Sequence, residues 1–292
     1  MPSNLINLSR VGVWGSSEWL KPENEGSLLT FAETLDELGF GSLWISAGFL
    51  PGMPSSYRKI VERTARIMVA SGILSIWHCT PEETRTSVIE IQQDYPDRFM
   101  LGLGSSHSPQ VTSLGQHYTQ PYSRMVGYLD ELDGLGIGPE HRMLGALGPR
   151  MMKLAADRSR GAHPYFVPVE HTRRSREILG PSPLLIPEQA VVLNEDPMQA
   201  REWSRAFMSL YLRLPNYTNN LLRLGYTEAD FQHGGSDQLV DAIVAWGTPD
   251  DVLLRVGDHL NAGASSVCLR IVTDQPAPIP HSQMHYLAKN IG

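Results

Sequence analysis

The chain has 292 residues, 41% hydrophobic and 19% charged, ordinary proportions for a soluble globular protein of one large α/β domain or two smaller ones. A formal net charge of −7 argues against a nucleic-acid partner, which needs a basic footprint, but leaves a small anionic ligand open. Two cysteines, Cys79 and Cys268, stand in no metal or redox spacing; with no signal-peptide core and no apolar run of membrane-spanning length, a cytoplasmic protein without a membrane partner is expected.

Short apolar, β-branched runs alternate with helix-length amphipathic segments. "RVGVW" (10–14) reads as a strand, and "SLLTFAETLDEL" sets Leu28, Ala32, Leu35 and Leu38 on one helical face before a stop at Gly39. "SLWIS" (42–46) is a second strand. A helix around 56–70 precedes a third, "GILSIW" (72–77). The next helix has Thr80 as N-cap, Pro81 at its first position and Glu83 three residues beyond the cap. "RFMLGLG" (98–104) is the fourth strand. A helix near 122–134 leads to "RMLGAL" (142–147), and a further helix runs from Pro149. "GAHPYF" (161–166), a helix around 170–178 and "EQAVVL" (188–193) follow. A helix opening at Thr248 in "TPDD" precedes "SSVCLRIV" (265–272), and a closing helix is expected near 282–289.

Eight strand–helix pairs in under 300 residues is the count of a (β/α)8 TIM barrel, with an open doubly wound sheet as the rival. Residues 195–264, between strands seven and eight, are too many for a simple crossover and read as a helical insertion on a barrel domain spanning 1–292.

Barrel chemistry gathers at the C-terminal ends of the strands. "LGALGPRMMKLAAD" (144–157) makes a tight turn there. Gly148 allows close backbone approach, Pro149 starts a helix, and the amides of Arg150, Met151 and Met152 stay free at its positive end. The turn is either an anion site or good helix-start grammar. "GLGSSHSPQ" (102–110) lacks the third glycine of a dinucleotide fingerprint and reads as the loop leaving strand four; its His107 is either a solvated loop residue or an active-site group. His78, at the end of strand three, has the same two readings, with a structural role favoured. The ten histidines show no HxH, HExxH or CxxC spacing, so no metal site is expected, and there is no GxSxG elbow or P-loop. Trp14, Trp44 and Trp77, on strands one to three, suit either core packing or the wall of a flat ring.

"ELGFGSLWIS", "ASGILSIW", "DRFMLGLGSSHSP", "ALGPRMMKLAAD", "RGAHPYFVPVEHT" and "GPSPLLIPEQAVVL" together resemble the luciferase-like flavin and deazaflavin oxidoreductases, most of all their F420-dependent actinobacterial branch. The resemblance covers essentially the whole chain. It implies a (β/α)8 barrel with an insertion, usually a homodimer, binding F420, or alternatively FMN, across the C-terminal face together with a small-molecule substrate. Ala146, Leu147, Gly148, Pro149, Arg150 and the following Met151 match the turn whose amides hold the cofactor phosphate. Ser71, Gly72 and Ile73 match a strand-three bulge, often with a non-proline cis peptide, under the deazaflavin ring. Gly104, Ser105, Ser106 and His107 match the strand-four loop beside the ring and side chain. Where sugar-phosphate and alcohol dehydrogenases of the family carry an Asp-His pair after strand two, this chain has Ala47 and Gly48. The alcohol-deprotonating base is therefore missing, which turns the expectation toward a reductase consuming reduced F420 or a monooxygenase-like activity; a cofactor-binding protein without catalysis is the alternative. His107 is the expected proton donor or substrate-orienting group, with His78 its competitor.

Overall fold

The structure is a computed structural model that describes residues 8–47, 55–275 and 278–289. Its first half runs β1 (Val11–Gly15), α1 (Glu25–Leu38), β2 (Ser42–Ile45), α2 (Ser56–Arg63), β3 (Met68–Ser71), β4 (Leu74–Ser75), α3 (Pro81–Asp94), β5 (Phe99–Gly104), α4 (Ser108–Ser113) and α5 (Pro121–Gly134). The second half runs β6 (Arg142–Leu144), α6 (Pro149–Arg158), β7 (Gly161–Ala162), α7 (Val169–Leu179), β8 (Leu184–Leu185), β9 (Glu188–Val192), α8 (Pro197–Tyr211), α9 (Pro215–Leu224), α10 (Asp237–Ile243), β10 (Val244–Trp246), α11 (Pro249–Asn261), β11 (Val267–Ile271) and α12 (His281–Lys289).

All strand pairings among the described residues are parallel. β1 lies between β2 and β11, and the order continues from β2 through β3, β5, β6 and β7 to β8. β8 passes through Ile186 and Pro187 into β9, which pairs with β11. The Ile186 amide donates to the Ala162 carbonyl on one side, and Pro187 accepts from the Cys268 amide on the other, at 3.0 and 2.9 Å. β8 and β9 thus form barrel strand seven, and the eight-stranded barrel expected from the sequence closes there.

Several boundaries move for physical reasons. Strand three is β3 with its continuation β4, so it starts at Met68 rather than Gly72, and it is interrupted where the Gly72–Ile73 peptide is cis. The helix expected over 56–70 ends at Arg63, because the next amides are captured by another element. The buried carboxylate of Asp36, on α1, accepts hydrogen bonds from the amides of Ala65, Arg66 and Ile67 at 2.8, 2.9 and 2.7 Å. Strand six shrinks to β7, two residues before Pro164, which has no N–H for the ladder. Within the expected insertion, α11 packs against β10, β11 and α7 as the ordinary crossover helix, leaving α8 to α10 and β10 as the elaboration. β10 extends the sheet beside β9, with Val244 opposite Ala190, a strand that the sequence reading missed.

Local grammar is otherwise followed closely. Thr80 with Glu83 and Thr248 with Asp251 both form complete capping boxes. The barrel interior holds Trp44, Ala70, Met100, Met143, Ile186 and Cys268, while a larger apolar layer separates sheet from helices.

Burial works to raise the pKa of Asp36, and its three backbone amides more than offset that, leaving it below the ordinary carboxylate value. Asp36→Ala orphans those amides and is expected to cost roughly 2–4 kcal/mol in urea unfolding at pH 7. Because the pKa is depressed, this contribution is present above the ordinary value of 3.8 and is lost as pH falls below it. The two proteins should converge in acid; a difference that persists unchanged there would show that the charge is not what is lost.

Candidate active site

The C-terminal mouth of the barrel holds a cavity of about 340 Å³, within the range of small-molecule sites. Its floor follows from how strands two, three and four are held together. The Ser71 hydroxyl donates to the Gly102 carbonyl at 3.0 Å and accepts from the Gly102 amide at 2.9 Å, pinning β3 to β5. That approach requires glycine at 102, since a Cβ there would lie 2.0 Å from the Ser71 carbonyl oxygen. Beyond this staple, Gly72, Ile73, Gly104 and Gly145 line the cavity, together with the small hydroxyl residues Ser105 and Ser106. Below, His163 stacks on the fully buried Trp44, with centroids 4.2 Å apart and planes 5° apart. Both nitrogens of His163 are buried without a hydrogen bond of ordinary geometry, although the Ile186 backbone lies beside the ring. Burial holds its pKa down at about 4, so it is a neutral ring facing the cavity.

The turn after β6 borders the cavity through Leu147, Gly148 and Met151. Gly148 is the N-cap of α6, in extended conformation, with no side-chain cap and no acidic residue in the first turn. The N-terminal amides of α6 therefore remain available to an anion. His171 holds the turn in place, its Nε2 donating to the Leu147 carbonyl at 3.0 Å. Arg223, on α9, supplies a cation that the sequence reading missed: a Cβ on Gly148 would sit 3.7 Å from its Nη2.

On the side of strands six and eight, Tyr165, Tyr211 and Tyr217 line the cavity around Arg270. The guanidinium lies 4.4 Å from the ring centroid of Trp14 and 4.9 Å from that of Phe207. Its Nη1 donates to both Tyr165 Oη and Tyr211 Oη, the latter at 2.8 Å, and the two phenol oxygens are 2.8 Å apart. Glu188 is fully buried nearby. One of its oxygens accepts from the Phe166 amide at 3.1 Å, and the other has no partner. Burial raises it to about 7 against the pull of Arg270 and that amide.

His107 also lines the cavity, its Nδ1 3.0 Å from Asn216 Oδ1 and its ring 5.4 Å from that of Tyr217. Burial lowers its pKa against the opposing Asn216 bond, so the ring is neutral near pH 7. Donation from Nδ1 to Asn216 leaves Nε2 an acceptor in that tautomer. Among the other residues singled out in the sequence, Ser71 and Ala146 are buried behind the lining, and Pro149 is exposed. The Arg150 side chain turns away to lie 4.3 Å over the Tyr122 ring, leaving only its amide for the turn. His78 is not brought to the cavity. Of the three tryptophans, Trp14 lines the cavity, whereas Trp44 lies in the barrel interior and Trp77 is buried, donating to the Ser105 carbonyl at 2.9 Å. Ala47 is buried, and Gly48 lies outside the described residues. Tyr165, Tyr211, Tyr217, Asn216, Arg223, Arg270 and Glu188 were missed. The signals available were a glutamate opening one apolar strand, "EQAVV", and an arginine inside another, "VCLRI". Among the described residues, no cluster of His, Cys, Asp or Glu suits a metal ion, and no helix is long and apolar enough to cross a membrane.

The luciferase-like monooxygenase family matches residues 6–142. The chain is 22% identical, over 81% of its length and 87% of the relative's, to a 5,10-methylenetetrahydromethanopterin reductase of Archaeoglobus fulgidus. In fold it is similar to the coenzyme F420-dependent tetrahydromethanopterin reductase of Methanopyrus kandleri, with a TM-score of 0.70, 13% identity and 96% of each chain covered. It is also similar to the FMN-bound oxygenating component of 3,6-diketocamphane monooxygenase from Pseudomonas putida, with a TM-score of 0.68, 14% identity and coverage of 96% and 95%. The chain thus resembles the luciferase-like monooxygenases in sequence over residues 6–142 and shares the fold of these structures along nearly its whole length, and it is an enzyme.

Burial also holds His171 at about 4 and His259 at about 3; the latter is bonded to Thr172 and Gln189. With His163, these rings are neutral in the fold but charge in the unfolded chain. Their stabilisation is present above pH 6.5 and is lost as pH falls through 4 and 3. Glu188 has the opposite sign: its share is present below 4.5 and lost as pH rises through about 7. Proton uptake on unfolding near pH 5, read from the pH dependence of the unfolding free energy, should fall by about one in His163→Phe. An unchanged slope would mean that His163 is already charged in the fold.

Proposed function

We propose that this chain is an F420-dependent oxidoreductase that reduces a small-molecule substrate with reduced F420. The observation that carries the reading is the cavity itself, bordered at one place by an anion-ready turn and at another by a nearly side-chain-free floor. An extended group with a flat ring and a phosphate-bearing tail fits it. The uncapped first turn of α6 and Arg223 suit the phosphate, with Gly148 leaving room for close approach. Gly72, Ile73, Gly104 and Gly145 suit the ring. The F420 dependence of the structurally similar reductase supports the choice of cofactor, and the FMN-bound relative supports FMN as the alternative.

When bound, the reduced deazaflavin supplies a hydride. The chain's own residues bind, orient and exclude water. His171 fixes the Leu147 carbonyl and with it the turn. The neutral His163–Trp44 stack is a firm, uncharged support beneath that floor. His107, half-buried, neutral and tied to Asn216, is better placed to orient a substrate than to protonate it. The absence of an acid–base pair at Ala47 and Gly48 favours reduction over alcohol oxidation. A homodimer is proposed on the family resemblance.

Fluorescence titration of the protein with F420 and FMN tests the reading. F420 should bind more tightly, and FMN binding tighter by about tenfold would overturn the choice. Gly148→Leu should weaken F420 binding by about tenfold or more at an unchanged melting temperature, because the backbone there is extended and its Cβ meets only the end of Arg223. Undiminished affinity would reduce the turn to a helix start. Light scattering at micromolar concentration should give twice the 32.4 kDa chain mass; a monomer mass would remove the dimer.

A further inference from the structure

The cluster around Arg270 has no part in holding the proposed cofactor: its residues come from strands six and eight and from the insertion, whereas the floor and the turn come from strands three, four and five. Its hydrogen-bond count is uneven. The Nη1 of Arg270 has two protons, one for Tyr165 Oη and one for Tyr211 Oη. One phenol donates to the other across 2.8 Å. Three protons are then used, and the second phenolic proton has no acceptor among the described residues. Both tyrosines line the cavity, so the spare proton is available there.

We propose that Tyr165 and Tyr211, clamped by Arg270, are the hydrogen-bond and proton donor to a carbonyl oxygen of the substrate, which places the substrate among small carbonyl compounds. The geometry is that of a fixed donor site. Arg270 is held between the Trp14 and Phe207 rings and forks to both phenols, so the phenol oxygens keep their positions without a ligand. As the carbonyl carbon accepts a hydride with its electron pair, the C=O π pair moves onto oxygen. That oxygen takes the phenolic proton, leaving an alcohol and a phenolate next to the guanidinium, and water reprotonates the phenolate. Burial makes free ionisation of Tyr165 unfavourable, and Arg270 pulls the other way, so the proton is released to a strong acceptor rather than to bulk water. Glu188, buried near Arg270, limits the excess positive charge without bonding to either phenol.

The proposal rests on the oxidoreductase reading for its hydride source, but its test needs no cofactor. The probe is 4-(dimethylamino)cinnamaldehyde, whose absorption moves to the red when its carbonyl oxygen accepts a hydrogen bond. The wild-type protein should bind it with a maximum to the red of that in an aprotic, apolar solvent. Tyr165→Phe and Tyr211→Phe should each remove much of the shift and weaken binding by about 2- to 10-fold. The carbonyl-free analogue 4-(dimethylamino)styrene should bind wild type more weakly than the aldehyde; this comparison stands even if a variant fails to fold. A shift retained in both folded Phe variants, equal affinity for the two probes, or no binding of the aldehyde at millimolar concentration would each overturn the proposal. A positive probe result beside failed F420 binding would leave the donor site standing and refute only the cofactor.

Discussion

Closure of the barrel at strand seven is the constraint on which the site depends. A parallel sheet built from short strands leaves unpaired amides and carbonyls at any free edge. Here the segment from Leu184 to Val192 bonds to strand six through its first half and to strand eight through its second. Closure directs every strand's C-terminal end toward one mouth. Residues as distant in sequence as Trp14, Gly148 and Tyr165 therefore share one cavity. The three-residue and two-residue strands β6 and β7 belong to this continuous ladder, which is how such short segments persist.

The insertion does more than lengthen one crossover. β10 adds to the sheet beside β9, and α8 and α9 carry Tyr211, Asn216, Tyr217 and Arg223 to the mouth. Each of these meets a barrel residue or turn already present. Tyr211 meets Arg270 and Tyr165, Asn216 meets His107, and Arg223 stands beside Gly148. Barrel and insertion thus complete one site between them, and the phenyl rings of Phe166 and Phe207 seal the junction against Tyr211 at centroid distances of 4.9 and 5.1 Å.

Polar burial in this region falls into two kinds. His171 and His259 satisfy both ring nitrogens with protein partners and act as structural ties. His163, Glu188 and the tyrosine pair each keep an unmatched polar atom or proton, and His163, Tyr165 and Tyr211 line the cavity. Buried polar groups are ordinarily paired because leaving one unmade costs about 1–3 kcal/mol. Their concentration at the mouth marks the place where the protein sets stability against ligand recognition.

By itself the sequence determined what is local. The alternation of strands and helices, the capping boxes at Thr80 and Thr248, the turn around Gly148 and the family resemblance all rest on residues within a few positions of one another. Those signals were enough for the barrel and for Gly72, Ile73, Gly104 to His107, Leu147, Gly148 and Met151 at the cavity. The tertiary structure decided what depends on distant partners. The end of α2 and start of β3 are set by Asp36 on another helix, and the outward turn of Arg150 is set by Tyr122. The Arg270 cluster joins positions 46 to 105 residues apart, and neither periodicity nor spacing encodes such a meeting. Hydrogen-bond complementarity between buried side chains arises only when closure brings them within reach, which is why an arginine in an apolar strand showed its partners only in the fold.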